Sequence, residues 1–211
     1  VKTPRILLLD EPLSNLDARL RLQTREELRR IQRQTGVTTV FVTHDQEEAM
    51  SISDMIVVMK AGVLNQLGRP QEVYDEPVNL FVAKFLGTPP INVFKGQVEG
   101  GLLKIGGCPV LRAPGVSDRP VTVGIRPEGV IPKEGGALVC GLTAVEVMGR
   151  DTSFVCTHPD CEAANVRVIV SSENRVSEDA KTVAFDLKPF KVFIFDAGSE
   201  ERIPVAFEPL S

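Results

Sequence analysis

The hydrophobic pattern of the first half of the chain alternates between strand-like and helix-like stretches. Residues 6–9 (ILLL) form an unbroken apolar run, which is typical of a strand buried on both faces of a parallel sheet. Residues 17–35 carry apolar side chains at helical spacing among many charges and end at Gly36, which predicts an amphipathic helix. The stretch 37–43 (VTTVFVT) is rich in β-branched residues and predicts a second strand.

Shorter elements follow. Asp45 is expected to begin a helix as its N-cap, with Glu48 three residues later completing a capping box. Two strands and two helices are then predicted, at residues 56–59, at 63–67, from Pro70 onward, and at 80–86 with Asn79 as cap. The alternation of strands and helices predicts a doubly wound α/β sheet.

The pattern changes after residue 90. Helical periodicity stops at Thr88-Pro89-Pro90, so a domain boundary is expected there, between residues 1–90 and 91–211. Beyond it, short β-rich segments recur between Gly, Pro and Asp turns, at 121–125, 137–147, 153–157, 166–170, 181–187 and 191–195. This spacing predicts a small all-β barrel or sandwich.

Composition narrows the possible functions. The net charge of −4 argues against nucleic acid as a partner, whose binding surfaces are basic. No apolar run approaches the roughly 18 residues of a membrane span. The four cysteines come without an export signal, so we interpret them as reduced cytosolic thiols. The chain begins at Val1 without a start methionine, and we expect it to be part of a longer protein.

Ionisable side chains cluster at the predicted strand ends. Asp10 and Glu11 follow the first apolar run directly, and His44 follows the second strand. Ser14 and Asp17 lie on the loop between them. Since ligands of open α/β sheets bind beyond the carboxyl ends of the strands, we expect these groups to converge on one rim. A carboxylate pair there suits Mg²⁺ held against phosphates.

Three motifs carry a family resemblance. The segment ILLLDEP resembles the Walker B segment of ABC-transporter ATPases, SNLD resembles their D-loop, and THD resembles their switch histidine. The family therefore implies a partial nucleotide-hydrolase sheet for residues 1–90. It also implies ATP and Mg²⁺ as cofactors.

The resemblance also implies a role for each side chain. Asp10 would hold Mg²⁺ through water, and Glu11 would act as the general base on the attacking water. His44 would contact the γ-phosphate. Ser14 and Asp17 would belong to the nucleotide-binding set, with Asp17 acting across a nucleotide-sandwich dimer.

Further segments narrow the resemblance to one subfamily. QEVY, PVNLFVA, GTPPIN, GIRPE and FIFD are similar to importers of the maltose or glycerol-phosphate type, whose regulatory domain is an OB-like barrel of the TOBE type. This implies a homodimer bound to transmembrane permease subunits. The protein would be peripheral, on the cytoplasmic face of the cell membrane. A regulatory protein is a further possible partner, on the β domain.

Two family motifs are absent from the 211 residues. Neither the phosphate loop G-x-x-x-x-G-K-S/T nor the signature LSGGQ occurs. We therefore expect a C-terminal part that is inactive alone. The alternative is a stand-alone regulatory β module that binds a sugar, an oxyanion or a regulatory protein. An ABC ATPase of the repair or translation kind is disfavoured by the segment 74–92.

Several features also have plain structural interpretations. His44 alone could be an ordinary helix-start histidine, and the arginines of residues 19–33 favour a salt-bridged face over a nucleic-acid surface. Cys156, His158 and Cys161 offer too few ligands for a typical Zn²⁺ site, so free thiols are favoured. The GIRPE segment is equally interpretable as a turn, and the aromatic side chains Phe190, Phe193 and Phe195 are expected in the β core.

Overall fold

The computed structural model describes residues 4–172 and 180–210. The chain divides into two compact units, Val1–Glu76 and Pro77–Ser211, each described here by itself. Across the described ranges, no helix combines the length and the apolarity that crossing a membrane would require.

From residue 4 onward, the first unit forms four strands and three helices. In chain order they are β1 (Ile6–Asp10), α1 (Ala18–Thr35), β2 (Thr38–Val42), α2 (Gln46–Ile52), β3 (Ile56–Lys60), β4 (Val63–Gly68) and α3 (Pro70–Asp75). Every element predicted for this half is therefore present, with bounds that differ by one or two residues.

The pairing of these strands corrects the prediction of one doubly wound sheet. β1 and β2 pair in parallel, whereas β3 and β4 form a separate antiparallel hairpin. The prediction that β1 is buried on both faces is also wrong, because Ile6 is 59% exposed and Leu8 72%. Among the described residues, β1 has only β2 as a paired neighbour.

The helix ends follow the polar signals of the sequence. Asp17 caps α1 by accepting the backbone N–H groups of Arg19 and Leu20, and Gly36 ends the helix in the left-handed conformation at φ 64°. Asp45 caps α2 by accepting the N–H groups of Glu47 and Glu48. No residue of α1 is buried, so its apolar stripe is at most partly covered among the described residues.

The second unit is mostly β. Its described residues include the helix α4 (Leu80–Phe85). The strands are β5 (Asn92–Glu99), β6 (Leu102–Ile105), β7 (Cys108–Arg112), β8 (Arg119–Ile125), β9 (Val130–Pro132), β10 (Leu138–Met148), β11 (Asp151–Thr157), β12 (Val166–Ser171), β13 (Thr182–Leu187), β14 (Val192–Asp196) and β15 (Arg202–Ile203). The six segments predicted as strands correspond to β8 and β10–β14.

Two antiparallel sheets build this unit. One has the strand order β12-β11-β10-β13-β9 and the other β15-β14-β8-β5-β6-β7. Side chains of both sheets, such as Phe154 and Phe185 from the first and Val123 and Leu103 from the second, share one hydrophobic core. The all-β character expected after residue 90 is thus present.

Helix α4 packs within the second unit. Leu80 and Ala83 form a second apolar cluster with Ile91, Val93, Phe193 and Phe195. By packing, residues 77–90 therefore belong with the β sheets, whereas the change in sequence texture lies at residue 90. Phe193 and Phe195 are buried as expected, but Phe190 is 71% exposed, so its expected core position is wrong.

Candidate functional site

Glu11 leaves the end of β1 in an unusual backbone conformation. Its φ of 44° lies in the left-handed region, which non-glycine residues rarely occupy. Its N–H donates to the carbonyl oxygen of Val42 at 2.9 Å, and its own carbonyl oxygen accepts the Ser14 hydroxyl at 3.0 Å. Leu13, only 1% exposed, anchors the same turn. These contacts hold the backbone of Glu11 in place at the end of β1.

The structure brings Glu11 and His44 together. Nδ1 of His44 lies 3.1 Å from Oε1 of Glu11, although the two residues are far apart in sequence. They meet because β1 and β2 run in parallel, so both carboxyl ends reach the same edge of the sheet. The His44 side chain is 73% exposed and that of Glu11 47%, so water weakens the pair.

Asp10 occupies the last position of β1, opposite Val42. Its side chain is solvent-exposed, beside Glu11 in the chain. Within the described ranges, no three His, Cys, Asp or Glu side chains lie close enough to hold a metal ion. One carboxylate completed by waters and substrate phosphates is nevertheless how Mg²⁺ is usually bound, so Asp10 fits that ion without a protein cage.

A polar network around the buried Glu48 involves both chain neighbours of His44. Glu48 of α2 is only 3% exposed, and its Oε2 accepts the Thr43 hydroxyl at 2.7 Å. The Thr43 Oγ1 in turn accepts the Asp45 N–H at 3.0 Å. The capping box expected for α2 is therefore only half present, because Thr43 and not Glu48 receives the Asp45 N–H.

The arginine-rich face of α1 ties this helix to α2. Arg21 donates to the Asp45 carboxylate at 3.1 Å, and Arg25 donates to the carbonyl oxygen of Glu47 at 2.9 Å. Arg29 donates to the carbonyl oxygen of Ser51. The guanidinium groups are thus used inside the unit, in agreement with a structural interpretation of this face.

The described part of the second unit holds the four cysteines and His158. All four thiols are free, with Cys108 exposed and Cys140 and Cys156 buried. Burial raises the pKa of Cys140 to about 12 and that of Cys156 to about 11. Burial also lowers the pKa of His158, and the nearby Asp160 carboxylate opposes this effect. Buried thiols of this kind are poor nucleophiles.

Comparison with curated proteins gives extensive matches. The chain is 39% identical over 206 residues to the sn-glycerol-3-phosphate import ATP-binding protein of Jannaschia sp. (strain CCS1), covering 96% of this chain and 57% of that protein. It is 42% identical over 221 residues to the trehalose/maltose import ATP-binding protein of Thermococcus litoralis, covering 96% and 58%. It is 38% identical over 226 residues to the diacetylchitobiose uptake system ATP-binding protein of Streptomyces coelicolor, covering 96% and 60%.

These matches decide the relationship. The chain is homologous to the ATP-binding proteins of ABC-type importers. It spans somewhat more than half the length of the three relatives named above. No family model matches the chain.

The remaining residues predicted for an ABC-type site have local partners here. The Ser14 hydroxyl donates to the Glu11 carbonyl oxygen, and the Asp17 carboxylate caps α1. These contacts place both residues on the turn that leads from Glu11 into α1. The network of Thr43, Glu48 and Arg21 was not predicted, and the one sequence signal for it was Glu48, interpreted as half of a capping box.

Proposed function

We propose that this chain is the C-terminal part of the ATP-binding and ATP-hydrolysing subunit of an ABC importer for sugars or related solutes. The observation that carries the proposal is the pairing of Glu11 with His44 at the ends of two parallel strands, 3.1 Å apart. The homology to import ATP-binding proteins supports the same assignment.

In this proposal, Glu11 is the general base. Its carboxylate accepts a proton from the attacking water while the water oxygen bonds to the γ-phosphorus and the bond to the bridging oxygen breaks, giving ADP and phosphate. His44 contacts the γ-phosphate. Asp10 would hold Mg²⁺ through water, and this ion supplies charge neutralisation when bound. Ser14 and Asp17 shape the turn beside the nucleotide.

The two adjacent carboxylates differ in position, and we assign them different roles. Asp10 is the last residue of the regular strand. Glu11 has a left-handed backbone conformation, and its own side chain lies against His44. One carboxylate is thereby available to a cation and the other to a water molecule.

The site is proposed to be incomplete in this chain alone. No phosphate loop of the pattern G-x-x-x-x-G-K-S/T occurs in its sequence, and backbone amides of such a loop supply much of nucleotide binding. The apolar side chains Ile6, Leu8, Val40 and Val42 of the β1–β2 sheet are about half exposed or more. Both features support a protein whose remaining part covers this sheet and completes the nucleotide site.

Partners and location follow from the same assignment. We propose that the intact protein works as a homodimer, bound to transmembrane permease subunits on the cytoplasmic face of the cell membrane. The second half of the chain is proposed to be an OB-like regulatory domain of the TOBE type, on which a regulatory protein could dock. The names of the relatives support solutes of the sugar or glycerol-phosphate class.

A chimera tests the proposal. The stretch of the Thermococcus litoralis relative that precedes its match to this chain is fused ahead of residues 1–211, and ATP hydrolysis is measured with Mg²⁺. The chimera is expected to turn over ATP, and the chain of 211 residues alone is expected to give no rate above the buffer. Glu11→Gln in the chimera is expected to lower kcat by about 10²–10⁴-fold, because a positioned general base contributes that much.

The control separates loss of chemistry from loss of folding. The Glu11→Gln chimera should still bind ATP with unchanged affinity, measured by equilibrium titration, since Gln retains the shape of Glu. Glu47→Gln, an exposed carboxylate of α2, should leave kcat unchanged. If the Glu11→Gln chimera binds ATP and hydrolyses it as fast as the unsubstituted chimera, the assigned role is refuted.

A further inference from the structure

We infer that Glu48 and Thr43 are positioning residues that hold His44 against Glu11. The inference deepens the proposed function and rests on it only for its kinetic part. Its structural part, that this pair fixes the place of the His44 imidazole, stands on the geometry behind the strand end.

The starting observation is a buried carboxylate that the proposed chemistry does not use. Glu48 is only 3% exposed, whereas a carboxylate in such a place is costly unless it is well partnered. Its Oε2 accepts the Thr43 hydroxyl at 2.7 Å, and its Oε1 lies 3.6 Å from Nε of Arg21. The carboxylate therefore has a donor at one oxygen and a positive charge near the other.

These contacts bracket His44 on both sides. Thr43, the residue before it, is held by its hydroxyl, and Asp45, the residue after it, is held by its N–H on the Thr43 oxygen at 3.0 Å. The Asp45 carboxylate is fixed as well, by the N–H of Glu47 at 2.9 Å and by Arg21 at 3.1 Å. The backbone of His44 is thus anchored at each neighbour.

The imidazole itself has little packing to hold it. Its side chain is 73% exposed, and its recorded partner is the accessible carboxylate of Glu11. An exposed ring held only by one solvated contact would spend much of its time elsewhere. Its position therefore depends on the backbone, and the Thr43–Glu48 hydrogen bond is one of the contacts that anchor this backbone.

Arg21 extends the same network toward the turn that follows Glu11. Its Nη2 donates to the carbonyl oxygen of Leu16 at 3.2 Å, while its Nη1 donates to Asp45. One guanidinium thereby connects the loop of residues 14–17 with the segment that carries His44. The two halves of the pair are fixed to a common support.

The first experiment reads the position of the ring without any enzyme activity. The chain has two histidines, so their ring resonances can be assigned by nuclear magnetic resonance with a His44→Gln variant. In the wild-type chain, Glu11→Gln is expected to shift the His44 ring resonances. In a Thr43→Val background, the same Glu11→Gln change should produce a clearly smaller shift, because the ring is no longer held at Glu11.

Matched variants distinguish positioning from general damage. Thr43→Ser keeps the hydroxyl and should restore the full response. Thr39→Val makes the same change on β2, where the hydroxyl donates to the Val37 carbonyl oxygen, and should leave the response intact. A full response in folded Thr43→Val, with an unchanged circular dichroism spectrum, would overturn the inference. Should Thr43→Val fail to fold, Glu48→Met removes the acceptor of the Thr43 hydroxyl at similar volume and gives the same comparison.

The second experiment uses the chimera. Thr43→Val is expected to lower kcat about tenfold or more while KM for ATP stays within about twofold, since misplacement of a reacting group affects the chemical step. Thr43→Ser should recover the rate. An inactive parent chimera would refute the proposed function but not the resonance result. A normal kcat in Thr43→Val would overturn the kinetic part of the inference.

Discussion

Arg126 provides the sharpest test of what holds the second unit together. Its side chain is fully buried, at 0% exposure. Its Nη1 donates to the carbonyl oxygens of Ala83 at 3.0 Å and Leu86 at 2.5 Å, at the end of α4. Its Cζ lies 5.8 Å from the centre of the Phe193 ring. A single guanidinium therefore binds helix carbonyls that have no partner within the helix.

The change Arg126→Met removes this donor and keeps most of the side-chain volume. A hydrogen bond from a charged group contributes about 1.5–3 kcal/mol, so the two bonds contribute about 3–6 kcal/mol. Relief from burying the charge offsets part of this loss. We therefore expect the free energy of unfolding to fall by about 2–4 kcal/mol. Arg126→Lys should lie between, because an ammonium lacks the planar fork.

The assay is urea denaturation of the full chain followed by far-ultraviolet circular dichroism, because the chain has no tryptophan and one tyrosine. With a typical slope for this size, the expected loss lowers the midpoint of the β-unit transition by about 1–2 M urea. Arg112→Met, an exposed arginine of the same unit, is the control and should change stability by less than about 0.5 kcal/mol. Equal midpoints for both variants would refute the role assigned to Arg126.

Two further predictions concern titratable groups of the β unit. Burial lowers the pKa of His158, so the unfolded chain takes up the proton first. The contribution of neutral His158 to the free energy of unfolding should be fully present above the unfolded-state pKa of about 6.5, and it should be lost as the pH drops through that value. Urea midpoints measured at several pH values should therefore fall less steeply for His158→Asn. Burial raises the pKa of Cys140 to about 12 and that of Cys156 to about 11, so iodoacetamide at a pH of about 8 should label the exposed Cys108 well before these two. Peptide mass spectrometry measures this order, and early labelling of Cys140 would contradict it.

The sequence predicted strands best where apolar runs were uninterrupted. The segments corresponding to β8 and β10–β14 were recognised, whereas β5, β6 and β7 and the short strands β9 and β15 were not. β5 contains Lys95-Gly96-Gln97, and β7 contains Pro109, so neither has a clean alternation. The available signal was the pair of Gly-Gly turns at 100–101 and 106–107, all four residues of which have positive φ. Such turns mark hairpins even when the strands are irregular.

Burial in the first unit could not be read from hydrophobicity. The run at residues 6–9 predicted a covered strand, but coverage depends on which other segments pack against it, and within β1 only Leu9 is even partly buried. The helix of residues 18–35 shows the same effect, since its apolar stripe has no buried member. A pattern states what a segment can bury and not whether a partner is present.

For the candidate site, the sequence could predict which side chains lie close together. Parallel strands bring their carboxyl ends to one edge, so Glu11 and His44 could be placed together from the order of elements alone. The support behind them could not. Glu48 accepts a hydrogen bond from the Thr43 hydroxyl and lies near the positive charge of Arg21. Which nearby group becomes the partner depends on side-chain geometry that no spacing rule describes. Arg126 is a similar case, because its partners are backbone carbonyls 40 and 43 residues away.

The conformation of Glu11 links this support to the chemistry. A left-handed φ of 44° in a residue with a Cβ costs about 1–2 kcal/mol, and it persists only where neighbouring contacts outweigh it. Here the opposing contacts are the Glu11 N–H on Val42 and the Ser14 hydroxyl on the Glu11 carbonyl, with Leu13 buried beside them. A regular strand would send the side chain after Asp10 to the opposite face of the sheet. The turn sends it instead beyond the strand end, where β2 also terminates and His44 stands, so the strain and the pairing of the two side chains have the same structural cause.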